Sequence, residues 1–69
     1  MPVFDVREDI TDLEGNVLYT STKKVEAGDS IAAVFSFNSC IEQVRKEIGR
    51  EDLTSRYGTA ESEGYNRRV

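Results

Sequence analysis

The chain opens on an alternation. In "VFDVREDIT", residues 3–11, Phe4, Val6 and Ile10 share one side and Asp5, Arg7 and Asp9 the other, the pattern of a half-buried strand. "DLEGN" follows, with Asp12 placed to begin a type I turn and Gly15 at the left-handed position of a bulged hairpin loop. A second strand is predicted over "VLYTSTKKV", where Leu, Tyr, Thr and Val are all good strand formers. A bulged three-residue loop sets Ile10 opposite Leu18, whereas a two-residue loop sets it opposite Tyr19. We favour the bulge, which puts Phe4, Val6, Ile10 and Leu18 on one face and Val3, Val17, Tyr19 and Val25 on the other. Neither face is then purely polar.

The next stretch, "GDSIAAVFSFNSCIEQVRKEIG", supports two readings. Its β-branched and aromatic residues over "IAAVFSF", the turn formers Asn38 and Ser39, and the capping-box spacing of Ser39 and Glu42 favour a strand, a turn and a short helix. Asp29 or Ser30 as N-cap, Gly49 at the far end and the absence of proline favour one helix. Phase decides between them. At roughly 100° per residue, Val34, Phe37, Ile41, Val44 and Ile48 share an arc of about 80°, and the phase passes unbroken through Asn38 and Ser39. The predicted fold is therefore α+β: an antiparallel β-hairpin followed by one long helix from about Ser30 to Ile48, a ββα unit spanning residues 1–49. The alternative is a three-stranded meander plus a shorter helix. The seam steps by three and four like a coiled-coil stripe, and Ile31 and Phe35 add a second stripe, so a homodimer is expected.

Residues 50–69, "REDLTSRYGTAESEGYNRRV", offer only Leu53, Tyr57, Tyr65 and Val69 as large apolar groups. They predict a polar, flexible tail with at most one helical turn that docks Leu53 and Tyr57 on the hairpin.

Composition narrows the functions. At 69 residues the chain makes one domain with a modest core, and its one cysteine and lack of histidine rule out an intrachain disulfide and a zinc cluster. Help from a partner is the remaining way to stabilise so small a fold. With no signal peptide and no apolar run long enough to span a bilayer, the expected location is the cytoplasm, and no membrane contact is expected. The net charge of −4 comes entirely from residues 1–49, which hold nine acids and five bases against four of each beyond them. Such a domain repels phosphate backbones, so nucleic acid is an unfavoured partner despite Arg67 and Arg68 beside Tyr65.

No phosphate, metal or nucleophile signature is present, and Cys40 reads as a small buried hydrophobe. No enzyme activity, cofactor or metal is expected. The run of Asp5, Glu8, Asp9, Asp12 and Glu14 reads as a solvated face or as a row of carboxylates able to imitate phosphates. The order hairpin, "GDS", helix resembles the front of HicB-type antitoxin domains. "FDV" with "DLEGN" is similar to small phage inhibitors built from a hairpin and a helix, uracil-DNA glycosylase inhibitors among them. Both resemblances cover residues 4–41 at most and transfer no functional residue.

The resulting expectation is a small binding module, a phage-type or antitoxin-type inhibitor of a host enzyme. Tyr19, Phe37, Ile41, Val44 and Ile48 would anchor its interface, and Asp5, Asp9 and Glu14 would steer its partner. The competing expectations are a nucleic-acid accessory protein and a structural subunit of a larger viral assembly.

Overall fold

Strand β1 (Val3–Thr11) is the centre of the fold. In a computed structural model, which describes residues 2–62, it is flanked by β2 (Val17–Glu26) and β3 (Thr54–Glu61), both antiparallel to it, in the order β2-β1-β3. Between β2 and β3 the chain forms α1 (Ser30–Ser36) and α2 (Ile41–Ile48), which pack on one face of the sheet.

The hairpin loop follows from Asp12 and Gly15. The Asp12 carboxylate accepts the backbone N–H groups of Glu14 and Asn16 at 2.9 Å and the Asn16 amide at 3.0 Å. Gly15 adopts φ 90° and donates its N–H to the Asp12 carbonyl at 3.1 Å, closing the predicted type I turn. The register differs from the one favoured by sequence: Ile10 pairs with Tyr19 and Thr11 with Val17. Leu18 is an extra residue between those pairs, a second irregularity beyond the loop itself. The slip moves Tyr19 and Val25 onto the face of Phe4, Val6 and Ile10, where the expected arrangement had Leu18.

One long helix does not form. Asp29 caps α1, accepting the Ala32 N–H at 2.8 Å, but Phe37 leaves helical geometry at ψ 130° and the chain turns through Asn38 and Ser39 before α2 begins. The apolar phase ran on across the break because both helices lie on the same sheet and so need apolar residues on the same side. The alternative of a three-stranded sheet with a shorter helix fits in strand count and in the helix from Ile41. Its third strand, however, comes from Thr54–Glu61, while residues 31–36 are helical. Gly49 ends α2 in the left-handed region at φ 79°, as its position predicts.

Residues expected in the polar tail thus supply an edge strand and a core side chain, Leu53. The remaining tail features, Tyr65, Arg67, Arg68 and Val69, lie outside the described residues.

The core has two parts. Under α1, Phe4, Val6, Ala27, Ala33 and Phe37 pack together with Val25 and Val34 at the margin. Under α2, Ile10, Val44 and Leu53 form a smaller cluster bordered by Cys40 and Ile41. Between Val6 and Ile10 on β1 stands Glu8, fully buried.

Candidate functional site: a groove between strand β2 and helix α2

Helix α1 packs against all three strands, whereas Tyr19 and Lys23, on the helix-side face of β2, stay exposed. A groove of about 470 Å³ runs along that face. Strand β2 contributes Tyr19 and Lys23, helix α2 contributes Gln43, Val44 and Glu47, and the link between helices contributes Asn38, Ser39 and Cys40. Tyr19 is half-exposed, while Val44 offers the edge of the smaller core cluster as an apolar floor. The Lys23 ammonium lies 5.2 Å from the centre of the Phe37 ring, which fixes it at one end of the groove by a cation–π contact. Glu42 and Glu47 line the helical side, and Glu42 also accepts the Arg45 guanidinium at 2.6 Å.

The link between the helices, which lines this site through Ser39 and Cys40, is positioned by Glu8. Its carboxylate accepts the Ser39 hydroxyl, the Cys40 N–H at 3.0 Å, the Ser55 hydroxyl at 2.7 Å and the Tyr57 hydroxyl at 3.1 Å. Ser39 Oγ in turn accepts the Ile41 N–H at 3.1 Å, so the start of α2 is tied to the centre of the sheet. Burial pushes the Glu8 carboxyl up, but the donors on Ser39, Cys40, Ser55 and Tyr57 outweigh it and hold the group below its ordinary value. None of these donors is a formal cation, so the charge is stabilised by dipoles alone.

Of the residues expected at an interface, Tyr19 and Val44 meet in the groove, and Ile48 is half-exposed one turn beyond Val44 on α2. Ile41 packs against the smaller cluster, and Phe37 is a core residue whose ring meets Tyr57 edge-on at 5.7 Å. The predicted seam is therefore largely core: Phe37 and Val44 face the sheet.

The acidic run is split. Asp5 accepts Lys24 at 2.9 Å, and Asp9 accepts Arg7 at 3.0 Å and Thr20 at 2.9 Å. The hydrogen bonds from Arg7 and Thr20 lower the Asp9 pKa. Both residues lie on the open face of the sheet, each neutralised by a base, while Glu14 is exposed in the hairpin loop. The hydrogen bonds of Asn16 lower the Asp12 pKa, and the group serves the loop.

Sequence reasoning missed Glu8 by grouping it with the neighbouring acids. The signal was present: Glu8 falls in phase with Phe4, Val6 and Ile10, a polar residue where the core face requires an apolar one. No family model, curated protein or solved structure matches the chain. Among the described residues no helix is long and apolar enough to cross a membrane.

Proposed function

We propose that the protein is a non-catalytic binding module of the phage-type or antitoxin-type inhibitor class, and that its groove between β2 and α2 receives a segment of a host enzyme or cognate protein. The observation that carries this reading is Tyr19, a half-exposed aromatic beside the apolar floor of Val44 under a rim that includes Glu42 and Glu47. Aromatic anchors in grooves contribute disproportionately to interface energy. With a net charge of −4, the chain favours a basic, amphipathic segment whose approach it accelerates. The open face supports imitation of nucleic acid less well, because Asp5 and Asp9 are already paired with Lys24 and Arg7.

The test is capture of partners by tagged protein from nuclease-treated host lysate, washed at high salt, in parallel with Tyr19→Ala and Glu47→Lys. We expect one stoichiometric protein, retained at least about tenfold less by Tyr19→Ala. Partners indifferent to both substitutions would place the interface elsewhere, and partners lost to nuclease or salt would favour the nucleic-acid reading.

A further inference from the structure

The sheet has two edge strands, β2 and β3, and each leaves part of its outer edge without charge. In an antiparallel ladder, residues alternate between those that turn both backbone groups toward the neighbour and those that turn both away. Ser62 donates its N–H to the Val3 carbonyl at 2.8 Å, which fixes that alternation: Thr54, Arg56, Gly58 and Ala60 turn toward β1. Ser55, Tyr57 and Thr59 therefore present N–H and C=O groups to the outer edge. Strand β2 carries Lys23, Lys24 and Glu26 over its last four residues, the charges by which natural sheets discourage strand addition, and leaves 17–22 uncharged. Strand β3 has no charge between Arg56 and Glu61.

Beside this uncharged edge lies the most exposed apolar surface among the described residues. Phe35 is 84% exposed and Ile31 68%, and together with Val34, Tyr57 and Thr59 they border a pocket of about 310 Å³. No core cluster among the described residues includes Phe35.

We propose that a second copy of the chain covers this surface, with the two β3 strands pairing antiparallel about a two-fold axis through Gly58. In this register Tyr57 of each copy faces Thr59 of the other. These are outward-turned residues, so the ladder hydrogen bonds form, and directly opposed residues share a face, so the helices of both copies lie on the same side. The two Ile31 and Phe35 patches then meet across the axis. Arg56 faces Ala60 of the second copy, so no like charges oppose each other. Gly58 lies on the axis itself. Its backbone is not left-handed and an added Cβ would meet nothing within 4 Å, so the single chain makes no demand for glycine there. A glycine inside a strand commonly marks the close approach of another backbone. A fully covered phenylalanine removes about 150–250 Å² from water. Two such patches plus two eight-residue strand edges approach the roughly 1,200 Å² at which specific interfaces begin.

Sedimentation velocity of the full chain over a concentration series tests this. The wild-type chain is expected to self-associate reversibly. Phe35→Asp, at a side chain outside both core clusters of the described residues, is expected to weaken association by at least about 30-fold. Thr59→Pro removes an N–H that is turned away from β1, so it should abolish association with an unchanged far-ultraviolet circular dichroism spectrum. If Thr59→Pro fails to fold, Phe35→Asp alone decides. A wild-type chain that stays monomeric throughout, or a dimer that survives Phe35→Asp, overturns the proposal. Tyr19→Ala lies on the opposite edge and leaves the dimer intact, which separates this outcome from that of the groove.

Discussion

The two halves of the core rest on β1 by different means. The half under α1 is aromatic and apolar: Phe37 packs with Phe4, Val6, Ala27 and Ala33, so shape and apolar area hold that helix. The half under α2 has only Ile10, Val44 and Leu53 at its centre, and it is supplemented by polar ties. Glu8 holds the N-terminus of α2, and Arg45 donates to the Leu53 carbonyl at 3.3 Å. A helix held by packing resists loss of any one hydrogen bond. A helix held by directed bonds depends on each partner, and its position can be set more finely. In this protein the second kind of helix forms one side of the groove.

Three experiments press on that difference. The largest effect is expected from Phe37→Ala, which removes the centre of the α1 half together with the Lys23 and Tyr57 contacts, at a cost of about 3–5 kcal/mol. A domain of this size has little more stability than that, so urea titration should find the variant mostly unfolded in water. Next comes Glu8→Ala, expected to cost about 3 kcal/mol because four partly buried hydrogen bonds, from Ser39, Cys40, Ser55 and Tyr57, lose their charged acceptor. Its signature is uneven: hydrogen exchange should accelerate in Ile41–Ile48 before Ser30–Ser36. Equal acceleration in both helices would erase the distinction between the two halves.

The smallest effect is acid sensitivity. Because the folded Glu8 pKa lies below its ordinary value of 4.5, its contribution is present above that pH and is lost as pH falls through the folded value. The wild-type melting temperature should therefore drop more steeply below about pH 4.5 than that of Glu8→Gln, which has no charge to lose there. Parallel curves would assign the acid loss to the remaining carboxylates, Asp9, Asp12 and Asp52, whose pKa values are also lowered.

What was legible in the sequence were features decided locally. The alternation of Phe4, Val6 and Ile10, the turn at Gly15, a cap at one of the two positions offered, Asp29, and the stop at Gly49 each depend on a few adjacent residues, and each is present, although cap and stop belong to two helices instead of one. Features decided by distant partners were hidden. The break at Asn38 and Ser39 is held by Glu8, about thirty positions earlier. Strand β3 lacks an apolar alternation because its partner β1 already fills the core, so its hydroxyls and Gly58 read as tail. At the site, Tyr19 was identified, but on the wrong face until the bulge at Leu18 turned it toward α2. Phe37 and Val44 were recognised as a stripe without any means of telling a core seam from an exposed one.

Glu8 also acts as a gauge for strand alignment. The weak apolar pattern of β3 would tolerate a slip of two residues along β1, since faces are preserved and little apolar burial is lost. Such a slip would carry Ser55 and Tyr57 away from the carboxylate and leave a charge without its full set of donors. The bonds that reward the correct alignment span 31 to 49 positions in sequence, so they form only after the hairpin, both helices and the last strand have come together. Assembly should accordingly be slow for so short a chain and close to all-or-none, with one carboxylate as its final proofreading step.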